Sequence, residues 1–127
     1  MDPLSNAITT MMNNEHRNKR SCVITPASKL IGHVLRILQQ NGYIGAFEFI
    51  DDGRSGKFIV QLLGRINKIS SIKPRYPIQV DSLEIWERKF LPARGLGLLI
   101  LTTSHGVLTN NDARAQHVGG SLLAYVY

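Results

Sequence analysis

Residues 100–127, ILTTSHGVLTNNDARAQHVGGSLLAYVY, decide the fold of the C-terminal half. The four consecutive apolar residues 98–101, which lead into this segment, predict a strand that is buried on both faces. Residues 102–106 are rich in hydroxyl groups and predict a tight turn, because the glycine among them can adopt a positive φ. Thr109, with Asp112 three positions later, predicts a capped short helix, which a glycine pair and a closing strand follow.

The turn consists of Thr102, Thr103, Ser104, His105 and Gly106, and we call it the hydroxyl turn. Its short hydroxyl side chains and free backbone N–H groups suit contacts with phosphate, sugar and base edges. Within this segment only His105 titrates near neutral pH, so the composition does not favour acid–base catalysis. The pattern therefore indicates a binding turn at the surface.

The composition predicts a folded globular protein with a basic charge. Of its 127 residues, 43% are hydrophobic and 19% are charged. The 15 Lys and Arg residues outnumber the 9 Asp and Glu residues and give a net charge of +6. A polyanion such as nucleic acid is therefore the first partner to consider, although the charge could also serve solubility alone.

The single cysteine, Cys22, lies in an apolar run and cannot form an internal disulfide. A buried, inert thiol in a reducing compartment is the expected outcome. The N-terminus lacks the basic flank and apolar core of a signal peptide, and no apolar run is long enough for a membrane span. We therefore expect a cytoplasmic, soluble protein with no membrane partner.

The first elements of the N-terminal half are predicted from helix caps and hydrophobic spacing. Asp2 as the N-cap and Pro3 at the first helical position predict a helix start. Residues 21–25 predict a short strand that Pro26 ends. Residues 28–41 predict an amphipathic helix with an apolar stripe.

A β-hairpin is expected after this helix. Residues 43–50 and 58–63 are alternating or apolar segments separated by DDGRSGK, which predicts two strands joined by a turn. Arg54 and Lys57 are expected to be exposed at its tip. Lys29, in the first turn of the preceding helix, opposes the helix dipole, which is tolerable where it and the neighbouring amides face a phosphate.

A basic connector joins the two halves, with no acid among its residues: Arg65, Lys68, Lys73 and Arg75. It either follows a nucleic-acid backbone or serves as an interdomain linker with solvated charges. The predicted fold class is α+β with two small subdomains, residues 1–64 and 65–127. The first is a helix–strand–helix–hairpin unit, and the second is a mostly antiparallel β unit with a short helix.

The segments TTSHGVL, NNDARAQ and HVGGSLLAYVY, in this order, resemble the C-terminal signature of the small-subunit ribosomal protein family numbered eight. That family's serine, threonine, serine, any residue, glycine pattern matches the hydroxyl turn, with Thr102 in place of the first serine. Where family members commonly have glutamate, this chain has Asp112 and Ser121. PASKLIGHVLRILQQNGYIGAFEFIDDGRSGKFIVQLLGRIN resembles the family's N-terminal half, so the resemblance covers nearly the whole chain. NGYIG, FEFIDD, WERKFLP and TTSHG are more similar to archaeal and eukaryotic members than to bacterial ones.

The resemblance implies a structural constituent of the small ribosomal subunit that binds the central domain of its ribosomal RNA directly, beside neighbouring small-subunit proteins. It also implies RNA contacts through PASK. Lys and Arg would neutralise phosphates while the hydroxyl turn senses a bulged or distorted helix. The glycine pair would let the chain approach RNA or the preceding helix closely. The predicted RNA-binding residues are Ser28, Lys29, Arg54, Lys57, Arg65, Lys68, Thr102, Thr103, Ser104, Gly106, Gly119, Gly120 and Ser121.

No catalytic residue, metal site, cofactor or small-molecule substrate is predicted. The four histidines have no cysteine or acidic companion at metal-ligand spacing, and no nucleophile elbow stands out. The alternative from another class is a protein-interaction adaptor that uses Trp86 and Phe90 as an apolar anchor, with the positive charge incidental. Relatives in the family also suggest regulatory binding to the protein's own messenger RNA, for which this sequence carries no signal.

Overall fold

The computed structural model describes residues 3–93 and 95–127. The chain divides into two compact units, residues 1–68 and 69–127. Helices and antiparallel strands are mixed in both, which confirms the predicted α+β fold class. The predicted subdomain boundary after residue 64 stays a prediction.

The N-terminal unit contains a three-stranded antiparallel sheet and two helices. Its elements, in chain order, are α1 (Pro3–His16), β1 (Ser21–Ile24), α2 (Lys29–Gln40), β2 (Ile44–Ile50) and β3 (Lys57–Leu62). β3 lies between β1 and β2, and its alternate residues Phe58, Val60 and Leu62 are buried. α1 contacts β1 and α2 contacts β2, so each helix buries one face against the sheet. Asp2, the predicted cap of α1, lies outside the described residues.

The caps of α2 confirm the helix that the sequence predicts at residues 28–41. Ser28 has an extended backbone with φ −151°, and its hydroxyl accepts a hydrogen bond from Ile31 N at 3.2 Å. Gly42 follows the helix with φ +79°, the left-handed conformation in which a glycine commonly ends a helix. The start of α2 is thereby fixed by a side chain of the predicted site.

The described residues of the C-terminal unit form a larger antiparallel sheet, two α-helices and a short 3₁₀ helix. Its elements are β4 (Ile69–Ser71), β5 (Pro77–Ile78), the 3₁₀ helix (Val80–Ser82), α3 (Leu83–Phe90), β6 (Leu98–Thr103), β7 (Gly106–Thr109), α4 (Asn110–Gln116) and β8 (Gly120–Val126). β8 pairs with β4, β5 and β6, and β6 also pairs with β7. A buried core cluster includes Leu83, Leu99, Leu101 and Leu122.

This sheet differs from the sequence prediction at two places. β6 extends through Thr102 and Thr103, and β7 follows the turn directly, so the predicted turn at residues 102–106 is too long. Three residues of the predicted connector form β4, because Ile69 is buried opposite Val126 of β8. The hydroxyl turn therefore belongs to a hairpin of the main sheet.

Stacked aromatic rings attach α3 to the sheet. The ring of Trp86 lies 5.0 Å from that of Tyr76 and 6.2 Å from that of Phe90. Phe90 in turn stacks on Tyr125 of β8 at 5.3 Å. Lys89 Nζ lies 5.2 Å from the centre of the Trp86 ring. Trp86 and Phe90 thus have a packing role in the C-terminal unit.

A polar network centred on the buried Asn110 joins α4 to β6 and α3. Asn110 is 2% exposed, and its Oδ1 accepts a hydrogen bond from Leu99 N at 3.3 Å. Its amide nitrogen donates to Glu87 of α3, and Arg114 pairs with the other oxygen of that carboxylate at 2.5 Å. Buried polar groups need such partners because water cannot reach them. The network therefore holds α4 beside the strand that leads into the hydroxyl turn.

A buried carboxylate lies near Cys22 in the N-terminal unit. Glu15, in the last turn of α1, is only 8% exposed and accepts a hydrogen bond from Gly64 N at 3.1 Å. Cys22 is buried in β1, which confirms the prediction of a buried thiol. Burial first, and then the nearby Glu15 charge, raise the pKa of the Cys22 thiol to about 11.

We predict that Asn110→Ala lowers the free energy of unfolding by about 2 kcal/mol, because Leu99 N–H and the Glu87 carboxylate lose a buried partner. Asn111→Ala is the matched control, since Asn111 is the exposed next residue of the same helix. It should change the free energy of unfolding by less than about 0.5 kcal/mol. Urea denaturation followed by circular dichroism measures both, and equal losses would contradict the role of the network.

The raised pKa of Cys22 predicts that the free energy of unfolding falls as the pH becomes alkaline. Because the folded pKa lies above the unfolded one, the folded state binds more protons between pH about 9 and about 11. The thiol's contribution to stability is complete below this window and is lost as the pH rises through it. Cys22→Ala should therefore flatten the fall of the urea midpoint above pH about 9, whereas an unchanged slope would show that other groups cause it.

Candidate nucleic-acid interface

The hydroxyl turn is exposed at the end of the β6–β7 hairpin. Thr103 pairs with Gly106, so only Ser104 and His105 form the loop between the strands. Gly106 has φ +102°, which a glycine adopts without the strain that a side chain would cause. Because all three residues from Ser104 to Gly106 are exposed, this end of the hairpin presents its polar groups to solvent.

Thr103 holds the turn together from within. Its hydroxyl accepts a hydrogen bond from His105 N at 3.0 Å and donates one to Gly106 O at 2.8 Å. These bonds use the only proton of the hydroxyl and one of its two lone pairs. The Ser104 hydroxyl makes no hydrogen bond within the part of the chain that the structure describes. Thr103 therefore positions the turn, whereas Ser104 is open to a ligand.

The start of β8 lies beside the hydroxyl turn because β8 pairs with β6, which contains Thr102 and Thr103 of that turn. Thr102 pairs with Ser121, and Thr103 pairs with Gly120. Directly opposite residues of antiparallel strands project from the same face of a sheet, so the side chains of Thr102 and Ser121 are neighbours. The structure thus brings together six of the predicted residues at one end of this sheet: Thr102, Thr103, Ser104, Gly106, Gly120 and Ser121.

The glycine pair lies where backbone strands approach each other closely. A Cβ atom on Gly119 would lie 2.5 Å from Ile78 O of β5, and one on Gly120 would collide with Thr102 O of β6. The expected close approach to the preceding helix is therefore wrong, since the atoms that exclude a side chain belong to neighbouring strands. RNA contact at these two glycines stays a prediction.

His105 links the hydroxyl turn to α4. Its Nδ1 lies 2.8 Å from Oε1 of Gln116. Because an amide oxygen only accepts hydrogen bonds, Nδ1 is the donor of this pair, and the rest of the ring is exposed. Gln116 was not predicted as part of this region, and no local pattern could have indicated it, because the pair depends on how the hairpin and α4 fold.

In the N-terminal unit, Ser28 and Lys29 lie next to the turn between β2 and β3. Ala27 N donates a hydrogen bond to Gly56 O at 3.0 Å and ties the start of α2 to that turn. The Ser28 hydroxyl is engaged as the helix cap. Lys29 is exposed and makes no ion pair with any described residue. Its cation and the first amides of α2 are therefore the groups open to an anion.

The other predicted basic residues of this unit differ in exposure. Arg54 is exposed in the hairpin turn. Lys57 is instead the first residue of β3 and is half-buried, so its predicted place at an exposed tip is wrong. Arg65 is exposed and donates a hydrogen bond from Nη1 to Gly42 O at 3.3 Å, and Lys68 is also exposed.

The C-terminal region offers hydroxyls and backbone amides, and the N-terminal region offers cations and backbone amides. These are the groups that bind phosphates and base edges. Within residues 3–93 and 95–127, no three His, Cys, Asp or Glu side chains group closely enough to hold a metal ion. No helix in the same ranges has the length and apolar character needed to cross a membrane.

We predict that Thr103→Ala loosens the hydroxyl turn, because His105 N–H loses its acceptor and Gly106 C=O loses its donor. Stability should fall by about 1 kcal/mol, and exchange of the His105 amide hydrogen should accelerate. Thr103→Ser keeps the hydroxyl and should restore slow exchange, while Ser104→Ala should leave it unchanged. Hydrogen exchange measured by NMR tests all three variants, and unaltered exchange in Thr103→Ala would refute the positioning role.

Comparison with known proteins identifies the family. The family model described as Ribosomal protein S8 matches residues 2–127. A curated relative, the small ribosomal subunit protein uS8 of Caldivirga maquilingensis, is 57% identical over 127 residues, which cover 100% of this chain and 98% of the relative. A match of this extent confirms the resemblance seen in the sequence, and the chain belongs to the ribosomal protein S8 family.

Proposed function

We propose that this protein binds the central domain of small-subunit ribosomal RNA directly and helps the subunit to assemble. As a family member, and as a close relative of a small ribosomal subunit protein, it is a structural, cytoplasmic component of that subunit and not an enzyme. Ribosomal RNA and neighbouring ribosomal proteins are therefore its partners.

The observation that carries this proposal is the exposed hydroxyl turn, whose backbone Thr103 fixes and whose Ser104 hydroxyl is open to a ligand. Small fixed donors and acceptors can follow the contour of an irregular RNA helix and reach base edges in its shallow groove. Thr102 and Ser121 extend this polar edge along the sheet. The hydroxyl turn would thus supply discrimination between RNA targets.

Cations of the N-terminal unit would supply the affinity. Lys29, Arg54 and Lys68 are exposed, and none forms an ion pair with a described residue. By contrast, Arg88 pairs with Glu84 at 2.7 Å and Arg114 pairs with Glu87 at 2.5 Å, so their charges are compensated within the C-terminal unit. Neutralising phosphates releases counterions, which is the main source of affinity for RNA and makes it depend on salt.

We predict that binding to a transcript of the central domain weakens steeply with salt. Six phosphate contacts would lower the affinity about a thousandfold between 50 and 200 mM salt. Lys29→Ala should weaken binding to target and random RNA alike and reduce the slope of log K against log salt by about one. Lys89→Ala is the control, because Lys89 lies over aromatic rings of the C-terminal unit.

Filter binding measures these quantities. A salt-independent affinity would refute the electrostatic part of the proposal, and equal slopes for the two lysine variants would remove Lys29 from the site. Ser104→Ala should instead reduce the preference for the target over random RNA while the salt slope stays the same. An unchanged preference would remove the hydroxyl turn from the site.

A further inference from the structure

An open cleft of about 340 Å³ lies at the start of α2 in the N-terminal unit. The rings of Phe49 and Phe58 form its apolar walls, and Ser28, Lys29 and Ser55 are among the polar residues that line it. We call it the aromatic cleft. It is close in size to the small-molecule pockets of proteins, the smallest of which have volumes of about 300 Å³.

Phe49 stands in this cleft with an unusual degree of exposure. It is 56% exposed, whereas Phe58, directly opposite it on β3, is 8% exposed. The two rings meet edge to face, with centres 5.8 Å apart and planes at 65°. An exposed aromatic ring beside a cleft offers a flat apolar face on which a planar ligand can stack.

The backbone of the hairpin makes room for the Phe49 ring. A Cβ atom on Gly56 would collide with Cε1 of Phe49, and Gly56 also has φ +87°. On the other wall, a Cβ atom on Gly32 of α2 would lie only 3.3 Å from Cζ of Phe58. These two glycines let the rings lie where they are, so the shape of the aromatic cleft is built into the fold.

The polar groups around the cleft favour an anionic ligand. Among the described residues that line it, the only charged one is Lys29. The nearby hairpin carboxylates are turned to their own backbone: Asp51 accepts a hydrogen bond from Gly53 N at 2.9 Å, and Asp52 accepts one from Gly56 N at 3.1 Å. The first amides of α2 add partial positive charge beside Lys29.

We infer that the aromatic cleft receives an unpaired RNA base, which stacks on the exposed face of Phe49 while its phosphate faces Lys29 and the first amides of α2. This inference rests on the proposed RNA-binding function and adds a second mode of recognition to it. Aromatic side chains stack on any base, but only on bases that have left the helical stack. The bound RNA must therefore expose a bulged or looped nucleotide to the N-terminal unit.

The first test compares three variants in binding to a central-domain transcript. Phe49→Leu removes the ring and should weaken binding about tenfold, within the range known for base stacking on aromatic side chains. Phe49→Tyr keeps the ring and should bind within about twofold of the unmodified protein. Leu63→Ala, at another exposed apolar residue of the same unit, is the control and should have no effect. Equal affinities for Phe49→Leu and Phe49→Tyr would overturn the inference.

A second measurement is independent of any loss of stability in Phe49→Leu. Phe49→Trp in a Trp86→Phe background places a single tryptophan in the aromatic cleft, and a stacked base quenches its fluorescence. Saturating transcript should quench this emission, and bound transcript without quenching would overturn the inference while leaving RNA binding intact. Failure of the unmodified protein to bind the transcript would instead overturn the proposed function itself.

Discussion

The pairing of β6 with β8 is the constraint on which the rest of the C-terminal unit depends. β8 also pairs with β4 and β5, and β6 also pairs with β7. Every other strand of this sheet is therefore hydrogen-bonded to β6 or to β8. Their backbones lie too close for a side chain at Gly120, where a Cβ atom would collide with Thr102 O. The same register places Ser121 beside Thr102. The polar edge of the sheet is thus a direct consequence of how its apolar strands pair.

The elements with a long apolar run could be predicted from local sequence, and the short strands could not. The apolar run at residues 98–101 predicts a buried strand because it leaves no face for solvent, and the structure has that strand within Leu98–Thr103. The local sequence does not predict β7, because the strand has only four residues. Its last residue, Thr109, gives a helix-start signal instead, since it caps α4 by accepting a hydrogen bond from Asp112 N at 3.2 Å. The local sequence does not predict β4 either, because three residues in a basic segment are too few to show a hydrophobic period. Their pairing with β8 depends on the tertiary fold.

The residue types of the candidate site follow from chemistry, but their individual roles do not. Hydroxyls before a glycine indicate a polar turn in any fold, whereas only the structure separates the engaged hydroxyl of Thr103 from that of Ser104. Asn110 and Glu15 look like surface residues in the sequence and are buried in the structure. Single buried polar residues leave no periodic signal, because their burial depends on partners that are distant in the chain.

The two candidate regions share one arrangement, in which adjacent residues divide structural and binding roles. The Ser28 hydroxyl caps α2, and the adjacent Lys29 side chain is exposed to solvent. The Thr103 hydroxyl makes the hydrogen bonds that hold the turn, and the adjacent Ser104 side chain is exposed to solvent. A group whose own backbone is fixed by its neighbour loses less conformational entropy when it contacts a ligand. Recognition of an RNA by shape gains from this, because donors and acceptors held in place before binding can match only one contour.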